Sequence, residues 1–206
     1  RVVRVCDAIE SAIEGAGARV TSTSVFAAAF GALERAIEAA ETGGEDALEA
    51  LEAVSAAAAE AATDADDRVV RAKMERTCEV IMACGRVVSA RAPKSMRHVA
   101  KLLARCASSA DASGGSEKFG KRAFQATLNL TVDGRPKVRK AAVYALSDVM
   151  RRMRERTGDA RGLGETYGEM TAAFARKIGE APEGAAAEME KARGAAGAKD
   201  ARARAT

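Results

Sequence analysis

Ten of the chain's 33 basic side chains fall into three short clusters between residues 118 and 154. Arg135, Lys137, Arg139 and Lys140 lie within six residues at the expected start of a helix, where backbone N–H groups also favour phosphate. Arg151, Arg152 and Arg154, with Arg156 just beyond, follow on the same helix, and Lys118, Lys121 and Arg122 fall on the helix expected to pair with it. Cations packed this densely suit a polyanion. Only 3% of the residues are aromatic, so contact with RNA is expected to be electrostatic and shape-based, without base stacking. The alternative is a solvated basic face that binds nothing.

Other constellations offer less. Gly115-Ser116-Glu117-Lys118-Phe119-Gly120-Lys121 has the glycine and lysine spacing of a phosphate-binding loop. That chemistry needs a Ser or Thr after the lysine to hold magnesium, and Arg122 stands there. The sequence before it reads as helix rather than strand, and no later strand ends in Asp, so a nucleotide site is not expected. Cys78, Cys84 and the one histidine, His98, are too few for a zinc site. Cys6, Cys78, Cys84 and Cys106 sit on apolar stripes and read as core residues in a reducing compartment. His98 is expected to cap a helix or decorate an exposed face. Asn129-Leu130-Thr131 is a glycosylation sequon by letters only. No nucleophile, base and orienting group cluster, so the chain is expected to be no enzyme, with no cofactor, metal or small-molecule substrate.

The elements that hold these residues read as helices throughout. Apolar residues recur at spacings of three and four, and no run alternates as a strand would. Val2, Cys6, Ile9 and Ile13 mark a first helix, stopped by Gly15 and Gly17; Phe26, Phe30, Leu33 and Ile37 mark a second, stopped by Thr42-Gly43-Gly44. A third begins at Leu48, Leu51 and Val54 and runs through an alanine tract. Asp64, Asp66 and Asp67 open a fourth, which carries Val70, Met74, Ile81, Cys84 and Val88 to Pro93. Met96, Val99, Leu103 and Cys106 form a fifth, and Ser108 to Ser116 a loop. Phe119, Phe124 and Leu128 form a sixth helix, and the turn Asp133-Gly134-Arg135 leads to Pro136 in the first turn of a seventh. Val138, Ala142, Ala145, Val149 and Met153 are its apolar side. Gly158 to Gly164 reads as a linker, and Tyr167, Met170, Phe174 and Ile178 as an eighth helix before Pro182.

The fold class is therefore all-α: antiparallel helical hairpins, stacked because each alone leaves an apolar face exposed. Residues 1–180 form the repeat region. Residues 181–206, rich in Ala, Gly and Arg, bury too little to order themselves and are expected to be mobile or weakly helical. A chain beginning at Arg1, with no initiator Met and no secretory signal, reads as a segment of a longer protein. No apolar stretch is long enough to span a bilayer. Charge is segregated: residues 1–66 hold 4 basic and 13 acidic side chains, and the remainder 29 and 16.

One segment carries more. In Leu130 to Leu146, an acidic turn residue, Val138-Arg139, alanines at helical intervals and a closing Ala145-Leu146 resemble the second helix of a HEAT repeat. Asp66-Asp67-Arg68-Val69-Val70-Arg71-Ala72 is a weaker echo, expected to lie two repeats earlier. More narrowly, Leu130-Thr131-Val132 followed by Arg135-Pro136-Lys137-Val138-Arg139-Lys140-Ala141-Ala142 resembles the ribosomal RNA-processing protein twelve family. The resemblance implies a nucleolar HEAT-repeat scaffold, with possible shuttling to the cytoplasm, that binds pre-ribosomal RNA and proteins during subunit maturation and export. The alternative is a protein-only HEAT adaptor, transport-receptor-like or condensin-like, whose acidic N-terminal part grips a basic peptide.

Overall fold

The computed structural model describes residues 2–112, 115–156 and 160–179, and these are almost entirely helical, with no strand among them. The helices are α1 (Val2–Gly15), α2 (Ser22–Thr42), α3 (Glu45–Asp64), α4 (Asp67–Ala72), α5 (Met74–Arg91), α6 (Met96–Ser109), α7 (Ser116–Leu130), α8 (Pro136–Glu155) and α9 (Ala160–Gly179), with a 3-10 turn at Pro93–Ser95. The chain forms two compact units, Arg1–Tyr167 and Gly168–Thr206. The polar tail expected from residue 181 lies outside the described residues.

In the first unit the helices alternate between two layers. Hairpins α2–α3, α5–α6 and α7–α8 pack side by side, so that α2, α5 and α7 form one layer and α3, α6 and α8 the other. This is the stacking of a HEAT-like α-solenoid, and α8 is the second helix of its hairpin, as its sequence pattern implies. Each seam follows the apolar stripe: Phe26, Phe30, Leu33 and Ile37 are buried on α2, and Val138, Ala142, Ala145, Val149 and Met153 on α8. Helix α3 is thin enough to be covered from several sides, with Ala53, Ala56, Ala57, Ala58, Ala59, Ala61 and Ala62 all buried. Helix α6 lies between α3 and α8 in its own layer and against α5 and α7 in the other. Every residue from Leu102 to Ser109 is consequently buried, the mark of a helix enclosed on all sides.

Local chemistry fixes the ends. Thr21 and Ser24 form a capping box at the start of α2, with Ser24 N–H donating to Thr21 Oγ1 at 3.2 Å and Thr21 N–H to Ser24 Oγ at 2.8 Å. Gly43 closes the α2–α3 turn because a Cβ there would stand 2.3 Å from the Ala39 carbonyl oxygen.

Four expectations are corrected. The fourth helix is two, α4 and α5, broken at Lys73 (φ −128°, ψ 29°) with no glycine or proline to announce it. Ion pairs of Asp67 and Arg71 pin α4 to the C-terminal end of α6, whereas α5 packs against α2 and α7, and one straight helix does not meet both demands. Ser108 and Ser109 complete α6 instead of opening a loop, each hydroxyl donating to the Arg105 carbonyl at 3.1 and 2.8 Å. The expected linker at 158–164 is helical from Ala160, and Leu163 is buried one turn before Tyr167. Its glycines do not break the helix; Gly164 brings the backbone close to Met153, where a Cβ would lie 3.4 Å from that residue's own. Finally, the Asp66–Ala72 echo opens the α4–α5 side of a hairpin, whereas Asp133–Ala142 opens its second helix. The likeness is one of turn chemistry, since each Asp accepts a backbone N–H two residues on, and not of repeat position.

In the second unit the described residues are the end of α9, Gly168–Gly179. Arg176 and Lys177 stand in its last turn, where positive charge suits the helix dipole.

Candidate nucleic-acid interface

Helices α6 and α8, the second helices of adjacent hairpins, run in the same direction, and Arg156 at the C-cap of α8 donates to the Ser108 and Ala110 carbonyls at the end of α6 (2.7 and 2.9 Å). Between them runs a groove of about 540 Å³. One wall is a single stripe of α8: Lys137, Lys140, Ala141, Tyr144, Ala145, Asp148 and Arg152, at spacings of three and four. The facing wall is a stripe of α6: Arg97, Lys101, Ala104, Arg105 and Ser108. From Lys137 to Arg152 the stripe covers about 22 Å at the helical rise of 1.5 Å per residue.

Charge in the groove is uneven. At the C-terminal end Arg152 Nε donates to Asp148 Oδ2 at 3.1 Å, and Arg105 is turned inward. Along the rest of the groove stand Arg97, Lys101, Lys137 and Lys140, all exposed, with no carboxylate paired to them among the described residues. The positive ends of two helix dipoles add to the same field. His98, next to Arg97 on α6, registers it. Burial, reinforced by the charges of Arg97 and Lys101, brings its pKa down to about 4, and Arg97 Nε donates to the neutral ring at 3.2 Å. His98 is thus half-buried and not the surface residue expected.

The other candidate cations are engaged elsewhere. Arg135 forks onto Asp133, with Nε at 2.7 Å and Nη2 at 2.6 Å from the two carboxylate oxygens. That hydrogen bond is the main reason the Asp133 carboxyl is held below its ordinary range, against the opposing effect of burial. Arg139 folds back on the Asp133 and Gly134 carbonyls at 2.8 and 3.1 Å. Both therefore hold the turn that launches α8. Arg151 is paired with Asp148 and Glu155, and Arg154 is exposed but does not line the groove. On α7, Lys121 is paired with Glu117, and Lys118 Nζ lies 5.6 Å from the centre of the adjacent Phe119 ring. Arg122 lines a different cavity, with Glu34, Glu38, Glu41 and Glu79 and two further arginines, Arg76 and Arg86. Of the ten candidates, the groove brings together Lys137, Lys140 and Arg152. It adds Arg97 and Lys101, which are scattered singly between apolar residues. Their signal is the i, i+4, i+8 spacing of Arg97, Lys101 and Arg105, which puts three cations on one face.

A second set of arginines performs a structural task that the sequence pattern does not announce. Arg105, buried in α6, donates to the Ala62 and Ala65 carbonyls at the end of α3 and to Asp67 and Ser109. Arg91 reaches the Ala40, Glu41 and Gly43 carbonyls at the end of α2, and Arg156 those at the end of α6. Each satisfies carbonyls that a helix C-terminus leaves without partners. Asp67 feels burial first, which disfavours its charge. The Arg105 hydrogen bond and the charges of Arg105, Arg156 and Arg71 outweigh that and hold its carboxyl low.

The phosphate-loop-like segment is committed to packing. Gly120 lies inside α7, where a Cβ would meet the Ala110 Cβ at 2.3 Å and the Tyr167 hydroxyl at 2.8 Å. Tyr167 stacks on Phe124 with ring centres 4.1 Å apart and donates to the Ala107 carbonyl at 3.0 Å. Cys78, Cys84 and Cys106 are buried, and burial pushes the Cys84 thiol up to about 12. Among the described residues no three His, Cys, Asp or Glu side chains are grouped to hold a metal, and no helix is long and apolar enough to cross a membrane.

A family model described as RRP12-like, N-terminal HEAT repeats, matches residues 1–195. No curated protein and no solved structure matches the chain.

Proposed function

The chain belongs to the RRP12-like family of N-terminal HEAT repeats, and from that membership we propose that it is a ribosome-biogenesis scaffold whose α6–α8 groove binds pre-ribosomal RNA. On this reading it works in the nucleus and nucleolus, by binding and not by catalysis, with pre-ribosomal proteins as further partners. One observation carries the RNA part: Arg97, Lys101, Lys137 and Lys140 are exposed side chains lining one groove, and none is paired with a carboxylate among the described residues. An unneutralised cluster releases the counterions condensed on RNA when it binds, which is the main source of affinity for a phosphate backbone.

Replacing Lys101, Lys137 and Lys140 by Ala tests this. All three are exposed, so the circular dichroism spectrum should be unchanged. Binding to RNA should weaken, and the slope of log affinity against log salt should become shallower by roughly 0.7 for each phosphate of a single strand that is no longer neutralised. The matching variant on α7, with Lys118, Lys121 and Arg122 replaced by Ala, should keep the slope of the unaltered chain. An unchanged slope in the folded groove variant refutes the RNA assignment. It would leave the protein-only adaptor, with its acidic residues 1–66 as the surface for a basic peptide.

A further inference from the structure

The groove contains one residue that an electrostatic site does not need. Tyr144 is 64% exposed on the α8 wall, one turn after Lys140, whose Nζ lies 5.8 Å from the centre of the ring. A single exposed apolar side chain is ordinary. This one stands apart because the chain is so poor in aromatics, with five Phe, two Tyr and no Trp. Phe26, Phe30, Phe124 and Tyr167 are all buried, and Tyr144 is the one aromatic ring exposed by more than a third among the described residues. Its neighbour Ala145 takes the buried seam position, so the helix register leaves the ring at the groove rim, not in the core.

Resting on the RNA reading above, we propose that Tyr144 is a stacking platform, and that the groove's ligand is a single-stranded RNA segment with one base laid on this ring and its flanking phosphates on Lys101, Lys137 and Lys140. A flat ring offers its face to any base and gains nothing from a base pair already stacked within a duplex. Lysines along the same stripe reach phosphates but read no base, which leaves contact with the base to the ring. On this reading the contact is not purely electrostatic, because low aromatic content counts for little when one ring is placed among the cations.

The test uses the whole chain with three probes: oligouridylate, an abasic ribose-phosphate oligomer of equal length, and a duplex RNA. Tyr144→Ala should weaken oligouridylate binding roughly 5- to 150-fold, the range expected for one stacked base. Its salt slope should be unchanged, and its affinity for the abasic oligomer and the duplex should stay within about twofold. Tyr144→Phe should restore binding, because the ring and not the hydroxyl makes the contact. Tyrosine fluorescence supplies an independent readout: with no Trp in the chain and Tyr167 buried against Phe124, quenching by oligouridylate should disappear in Tyr144→Phe. Equal losses for all three probes in Tyr144→Ala would overturn the stacking role, as would no loss for any. If the lysine variants shift the salt slope while Tyr144→Ala does nothing, stacking fails and RNA binding stands. If neither set affects binding, the RNA reading itself falls.

Discussion

Arg105 offers the most direct check on how this stack of helices is held together. It is 8% exposed, and its guanidinium serves two carbonyls at the end of α3, the Asp67 carboxylate on α4 and the Ser109 hydroxyl on its own helix. Replacement by Ala removes the donors and keeps the acceptors. The Ala62 and Ala65 carbonyls belong to residues that are themselves buried, and each buried acceptor left unpaired costs about 1 kcal/mol or more. Asp67 is a third exposed and recovers water, so its share is discounted. With the packing of the side-chain stem also removed, the total is about 3 kcal/mol, at the low end for breaking a buried charged contact. For a chain of this size that lowers Tm by about 6–12 °C, measured by circular dichroism on heating. Arg105→Lys should lose about half as much, since a single ammonium cannot serve both carbonyls and the carboxylate at once. The acid limb gives a second reading. The Asp67 carboxyl is held below its ordinary value, so its contribution is present above about pH 3.9 and lost as pH falls through the lower folded value. That loss should shrink in Arg105→Ala, which retains only Arg156 and Arg71 near the carboxylate. A Tm within about 2 °C of the unaltered chain would refute the argument that these carbonyls depend on Arg105.

Two further outcomes follow from the same packing. His98 is held near pKa 4 in the folded chain, while the unfolded chain takes up its proton near pH 6.5. Stability should therefore fall as pH drops from about 6.5 to about 4, a slope absent in His98→Leu, with an NMR titration midpoint near 4 in the unaltered chain. Gly120→Ala should destabilise by about 1–3 kcal/mol, because the new methyl meets Ala110 and Tyr167, even though Ala is the better helix former by ~1 kcal/mol. An unchanged or raised Tm would mean that the α6–α7 contact yields more easily than its spacing implies.

What was legible in the sequence is what a period and a cap determine. The five apolar positions of α8, the stops at Gly15 and Gly43, and the Asp133 turn before Pro136 each rest on a few consecutive residues, and all appear in the structure. The break at Lys73 was not legible, because Val70, Met74, Cys78 and Ile81 keep one helical period across it. It is imposed by partners distant in sequence, Asp111 and Arg105. The glycines of 158–164 misled for the opposite reason. A local breaker signal was present, but the helix runs through it from Ala160 and buries Leu163 and Tyr167.

The site was half legible, and the reason lies in how arginine and lysine divide the work. A cluster of positive letters records charge density, not availability. In this chain Arg91, Arg105 and Arg156 are spent on helix C-termini, Arg135 and Arg139 on a turn, and Arg151 and Arg152 on acids of their own helix. Arginine suits these posts because its fixed fork meets two or three oxygens at once. A stack of hairpins supplies many such posts, since every helix end in a layer presents unpaired carbonyls to the next repeat. Lysine, a point charge on a flexible stem, satisfies them poorly, and Lys101, Lys137 and Lys140, joined by Arg97, are the cations left facing the groove. The strong positive balance after residue 66 therefore overstates what a polyanion meets. The potential at the groove comes from a few side chains paired to no carboxylate among the described residues, and it is there that a single exposed tyrosine gains a meaning its rarity alone does not give.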